Sequence, residues 1–204
     1  MSVDDSHRLL LRRSMKSEWS LSEAARLLGQ PQHKLIYLCE KGVIVPDLEE
    51  ARGRGSSRRF SARNLLEFEV ALKLRELTVP VSSIAAILYA LRAFEVRVAR
   101  ELPGFRLPDG LRSRRAPDLR VMLTDQGRLY FSLGPERGGR KLYGGLDFGR
   151  LAASRRTRRR SRAARGASSN LALPALAGGR LADEVKAWVE VSVTRIARDL
   201  DLER

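Results

Sequence analysis

Residues 20–46 read SLSEAARLLGQPQHKLIYLCEKGVIVP, and their punctuation decides the fold of the N-terminal part of the chain. Ser20 and Glu23 have the spacing of a capping box, in which a hydroxyl and a carboxylate satisfy the free amides at a helix start. Ala24, Leu27 and Leu28 then place an apolar stripe on one face of that helix. Gly29 is suited to the left-handed conformation that ends it. Pro31 suits the first turn of a second helix, where its missing N–H costs nothing. In the second helix Leu35, Leu38 and Cys39 share one face, and Gln32, His33, Ile36 and Tyr37 the other. Gly42 terminates it, and Pro46 forbids its resumption.

Working outward, residues 51–61 read ARGRGSSRRFS and residues 62–88 read ARNLLEFEVALKLRELTVPVSSIAAIL. From Arg52 to Arg59 there are four arginines, two glycines, two serines and no acid. Gly53 and Gly55 permit a tight hairpin tip from which Arg52, Arg54, Arg58 and Arg59 project. Phe60 and Ser61 follow as an apolar anchor and an N-cap for the next helix. The order is a helix-turn-helix, a wing and two supporting helices. A helix face bearing amide, imidazole and phenol groups is what a recognition helix shows to base edges and phosphates in a major groove. A solvated helix with a flexible basic loop is the plainer alternative, and the loop's position directly after the helix pair argues against it.

The segment resembles the DNA-binding domain of the MerR family of bacterial transcription regulators. The likeness rests on Leu21-Ser22-Glu23-Ala24-Ala25 with Leu27-Leu28-Gly29, on Leu35-Ile36-Tyr37-Leu38-Cys39, and on Gly42-Val43-Ile44 with Pro46. Arg58-Arg59-Phe60-Ser61 matches the end of the family's wing, and Leu74-Arg75-Glu76-Leu77 with Ile84 the helices after it. The resemblance implies that Tyr37 and Arg58 touch the DNA backbone. Two positions depart from the pattern: Ile36 stands where the family usually has arginine, and Tyr37-Leu38 where it has a tyrosine pair. An isoleucine at 36 either meets a thymine methyl or packs inward, so the family's operator does not transfer to this chain. Cys39, His7 and His33 do not supply the thiolate set of the family's metal-sensing branch.

Charge fits a nucleic-acid partner. The chain has 39 Lys and Arg against 24 Asp and Glu, a formal net charge of +15, which draws it to polyanions. Residues 101–170 hold 17 basic and 6 acidic side chains, and within them 154–170 contain seven arginines and no acid. Like-charge blocks of this kind are usually disordered, yet still grip phosphates without sequence preference. The lone Cys39 excludes an internal disulfide, and no long uncharged apolar stretch suggests a membrane span. Leu9-Leu10-Leu11 is too short a run for a signal peptide.

Ile84, Ile87, Leu88, Leu91, Phe94, Val98 and Leu102 recur at spacings of three and four, a single apolar stripe along a helix over 82–102 closed by Pro103-Gly104. By pattern alone the stripe is covered either by the chain's own C-terminal part or by a second copy; the resemblance favours the second copy. Leu119, Val121 and Leu123, then a turn at Asp125-Gln126-Gly127, then Leu129, Phe131 and Leu133 form a β-hairpin signal. Leu142, Tyr143, Leu146 and Phe148 extend that sheet. Val189, Val191 and Val193 alternate as in a strand, whereas Leu181, Val185, Trp188, Ile196 and Leu200 suit helix, which gives a helix, a strand joining the sheet, and a short terminal helix.

The expected fold class is α+β: an N-terminal winged helix-turn-helix with supporting helices, then a small hairpin-containing C-terminal domain interrupted by a disordered Arg-rich linker. The expected organisation is an arm over 1–18, the DNA-binding domain over 19–90, a connecting or dimerisation helix over 91–104 and a β-rich domain over 105–150. A basic linker over 151–179 and a strand/helix segment over 180–204 complete it. The function expected is a non-enzymatic, cytoplasmic, nucleoid-associated regulator that reads duplex DNA with the helix over 31–41 and the wing over 52–59. Gln32, His33, Lys34, Ile36, Tyr37, Arg52, Arg54, Arg58 and Arg59 are its expected contacts. Double-stranded DNA is the partner, with RNA polymerase and a second copy through 82–102 as further candidates; no metal, cofactor or catalytic group is expected. An excisionase-like or architectural protein of low sequence specificity is the alternative.

Overall fold

The computed structural model describes residues 17–48, 58–135, 139–151, 171, 173–176 and 184–200. It is a mixed helix and sheet fold, with helices in the N-terminal part and antiparallel strands in the C-terminal part. Arg52, Arg54 and the arginine tract after residue 154 lie outside the described residues.

Helix α1 (Leu21–Leu27) starts on the capping box, with the Ser20 hydroxyl accepting from the Glu23 amide and the Ser20 amide donating to the Glu23 carboxylate at 2.8 Å. Gly29, at φ +59°, turns the chain into α2 (Gln32–Glu40), and Gly42, at φ +64°, ends α2 with the Val43 amide bonded back to the Leu38 carbonyl at 2.9 Å. Trp19 and Phe60 exchange backbone hydrogen bonds of 3.0 and 2.9 Å, pairing the chain before α1 with the chain after the wing segment. Ser61 then caps α3 (Ala62–Glu76), its hydroxyl accepting from the Asn64 amide. Phe60 sits fully buried, edge-on to Phe68 at 5.3 Å.

Helix α4 (Val81–Ala99) is shorter than the expected 82–102, and Leu102 lies beyond it, exposed. The other six stripe residues are all buried within the chain. Phe94 stacks on Phe131 of the sheet at 4.8 Å and meets Tyr143 edge-on at 5.5 Å. Of the two covers open to this stripe the chain itself supplies one: Phe94 packs on the sheet, and the other five residues are buried within the chain's own core. Pattern alone shows that a stripe must be buried, not by what.

After the short α5 (Asp109–Arg112) come β1 (Asp118–Thr124), β2 (Arg128–Gly134), β3 (Lys141–Asp147), β4 (Ala175–Leu176), β5 (Trp188–Ser192) and helix α6 (Val193–Asp199). The strands form one antiparallel sheet in the order β4-β3-β2-β1-β5. Alternation places Leu119, Val121, Leu129, Phe131 and Leu133 on the buried face, and Gly127, at φ +67°, closes the hairpin between β1 and β2. At Gly144 (φ +116°) a side chain would bring its Cβ within 2.7 Å of the Leu129 carbonyl, so the irregular β2–β3 pairing there requires glycine. One buried cluster runs from Trp19 through α3, α4 and the sheet to Leu200.

Two C-terminal expectations need correction. The linker expected to be disordered over 151–179 has Leu151 and Leu173 buried and residues 175 and 176 in a strand; once the arginines end, the run is apolar enough to pack. Of the helix expected before the C-terminal strand, residues 180–183 lie outside the described residues, 184–187 are not helical, and Trp188 is already in β5. There the alternating valines prevail over the helical spacing, because β5 pairs in antiparallel register with β1 from Trp188 to Ser192.

Asp118, nearly buried at the start of β1, accepts from Arg120 Nε at 2.7 Å and from Arg140 Nη2 at 2.9 Å. Burial works against its charge, but these guanidiniums outweigh it and hold the carboxyl below the ordinary aspartate value of 3.8. A carboxylate with a depressed folded-state pKa stabilises the fold above the unfolded value and loses that contribution as pH falls through the folded one. Asp118→Asn should accordingly lower the urea midpoint at pH 7, with the gap to the parent protein closing as the pH is taken below about 4. A gap independent of pH would contradict this role.

Candidate DNA interface

Helix α2 is anchored from beneath. Leu35 and Leu38 are 0% and 1% exposed, while Gln32, His33 and Lys34 of its first turn are exposed. Ile36 is half-buried, so it packs partly against the fold instead of standing clear as the family's arginine would. Tyr37 is 39% exposed, and two cations lie near its ring, with Lys41 Nζ 5.5 Å and Arg75 Cζ 5.4 Å from the ring centroid. The arrangement joins the outer face of α2 to the far end of α3 and aims two positive charges beside a phenol. Arg75 was not among the expected contacts; only the packing of α3 against α2 brings it there.

Cys39 lies on the anchored side. Burial pushes its thiol up to about 11, opposed in part by the positive charge of Arg58 and reinforced by Glu40. At neutral pH it is therefore a protonated packing group and a poor nucleophile. Arg58 and Arg59 are both half-buried.

A polar cluster ties residues 45–47 to the start of α3. The Asp47 amide donates to Asn64 Oδ1 at 2.9 Å, Asn64 Nδ2 donates to the Val45 carbonyl at 3.0 Å, and the Ser61 hydroxyl donates to Asp47 Oδ2 at 2.8 Å. Arg92 of α4 donates from Nη1 to Asp47 at 3.1 Å and from Nε and Nη2 to the two oxygens of Glu67 at 2.5 and 2.6 Å. Burial pushes the Glu67 carboxyl up, and Arg92 opposes it most. For Arg92, burial disfavours the charge, but Glu67 and Asp47 outweigh it. Residues 47 and 61, which flank the segment 48–60, are thus held together with the help of side chains from α3 and α4. Beside them Arg63 pairs with Glu95 at 3.1 Å, and Glu95 accepts the Leu107 amide at 2.9 Å, which carries the tie onward to the C-terminal part.

Among the described residues no group of His, Cys, Asp and Glu is placed to hold a metal ion, and no helix is long and apolar enough to cross a membrane. Residues 19–91 match the family model for the MerR HTH family regulatory protein. This segment is accordingly a helix-turn-helix of MerR type, and the match points to DNA-binding transcription regulation. The match ends within α4, so the sheet and α6 lie outside it. No curated protein matches the chain.

Proposed function

We propose that the protein is a MerR-type transcription regulator that reads duplex DNA with the outer face of α2 and steadies it with the basic wing over 52–59. The observation that carries this reading is the division of α2. Its Leu35 and Leu38 are locked into the core, while Gln32, His33, Lys34 and Tyr37 face outward, and Tyr37 has Lys41 and Arg75 near its ring. Side chains fixed in this way can discriminate base edges, whereas Arg52, Arg54, Arg58, Arg59 and Arg75 supply phosphate contacts that position the helix. RNA polymerase is the second macromolecular partner we propose, since a regulator of this type acts at promoters.

Salt dependence tests the wing. Each phosphate neutralised contributes about 0.9 to the slope of log affinity against log salt. The double variant Arg54→Ala, Arg58→Ala should weaken binding to every duplex and make that slope shallower by about 2. An unchanged slope would remove the wing from the interface.

A further inference from the structure

We propose a second DNA-contacting surface on the C-terminal part of the fold, formed by the turn at 112–116 and helix α6, that grips the phosphate backbone of DNA flanking the site read by α2. The proposal rests on the DNA-binding reading above.

Three arginines, Arg112, Arg114 and Arg115, fall within this turn, and Arg114 and Arg115 are exposed. The turn is ordered: the Ala116 amide donates to the Ser113 carbonyl at 3.0 Å, and the Arg115 amide to the Ser113 hydroxyl at 3.1 Å. It is also stapled to α6. Arg198 Nη2 donates to the carbonyls of Ser113 and Ala116, each at 3.4 Å, and the Thr194 hydroxyl donates to the Pro117 carbonyl at 3.0 Å while accepting the Leu119 amide at 2.7 Å. On the same helix, one turn before Arg198, Arg195 is exposed. Among the described residues, none of the ion pairs within 4.0 Å engages Arg112, Arg114, Arg115 or Arg195. Of the acids nearby, Asp118 is turned to Arg120 and Arg140, while Asp109 and Asp199 are exposed, so the surface carries four arginines against two exposed acids.

Two features favour DNA over other anionic partners. The surface belongs to the same body as the reading helix, because α6 packs on α3, whose far end carries Arg75 beside Tyr37. Its charges are thus held in fixed relation to a duplex seated on α2. The large exposed apolar side chains among the described residues are Tyr37, Val45, Leu48, Leu77, Val96, Leu102, Trp188 and Val189. None of them lies in the turn or on α6, so the surface lacks the apolar anchor that a membrane-lying element uses.

The test uses the full chain and two duplexes carrying one site that the wild-type protein selects from a random library. One duplex is trimmed to the site, and the other is extended by about one helical turn, roughly 10 bp, on each side. Wild-type protein should bind the extended duplex more tightly. The triple variant Arg114→Gln, Arg115→Gln, Arg195→Gln should lose that gain, roughly tenfold to a hundredfold, with a salt slope shallower by about 2 to 3 on the extended duplex and unchanged affinity for the trimmed one. Equal binding of both duplexes by the wild type, or a triple variant that keeps the gain, overturns the proposal and leaves the reading helix standing. A wild-type protein that selects no site overturns the DNA-reading assignment itself. Loss of binding to phosphatidylglycerol vesicles in the triple variant, with DNA binding intact, would assign the surface to lipid and overturn the proposal.

Discussion

Replacing Phe94 with alanine is expected to cost about 3 to 5 kcal/mol of folding stability. The ring is fully buried and bridges the two halves of the chain, stacked on Phe131 at 4.8 Å and edge-on to Tyr143 at 5.5 Å. Its removal opens a cavity between α4 and the sheet, and β-strands held in register by their neighbours cannot collapse into it fully. The loss should be felt on both sides of that junction. The chain's two tryptophans serve as reporters, Trp19 buried beside the helix-turn-helix and Trp188 exposed on β5. Single-tryptophan versions of the parent protein should unfold in urea with the same midpoint, because the two regions share one core. Phe94→Ala should move both midpoints down. A loss below about 1 kcal/mol, or a shift confined to one reporter, would contradict the shared core.

Arg92→Met carries the second large effect, about 3 to 5 kcal/mol. Glu67 is 2% exposed, and Arg92 holds both of its carboxylate oxygens. Without the guanidinium, the carboxylate keeps only Asn64 as a hydrogen-bond donor and must either stay charged in a desolvated site or take up a proton. The double variant Arg92→Met, Glu67→Met should recover most of the stability, since the cost belongs to an uncompensated buried charge and not to lost packing. DNA binding should not recover with it. Arg92 also holds Asp47 and the Val45 carbonyl, just before the proposed wing, and no methionine replaces those bonds. Restored stability with weakened DNA binding in the double variant is the expected pair of results; a double variant as unstable as the single one would show that the ion pair is not the source of the cost.

The parts of the fold that were legible in the sequence are those fixed by neighbours along the chain. Ser20 with Glu23, Gly29, Gly42 and Ser61 mark the ends of α1 and α2 and the start of α3, and each acts over a few residues. The β1–β2 hairpin was legible for the same reason, from alternation around a turn that needs glycine at residue 127. Long-range partnerships were not. Arg92 meets Glu67 across 25 residues and Asp47 across 45, and none of the three stands out from a solvated charge in the linear chain. Arg75 has the spacing of an ordinary helical surface residue, and only the crossing of α3 against α2 places it at Tyr37. What covers the α4 stripe is likewise a long-range matter, since Phe94 meets Phe131 and Tyr143 far along the chain.

On the proposed function, discrimination between DNA sequences resides in the outward face of α2, while the arginines of residues 155–165 add affinity alone. Competition between a selected site and random duplex at fixed salt measures this directly, comparing wild type, the triple variant Gln32→Ala, His33→Ala, Tyr37→Ala, and a deletion of residues 155–165. A specific regulator prefers its site by at least about 10³-fold. The triple variant is expected to lose most of that ratio while still binding random DNA, and the deletion to weaken both duplexes by similar factors with the ratio nearly intact. A deletion that abolishes discrimination, together with a triple variant that retains it, would contradict the account.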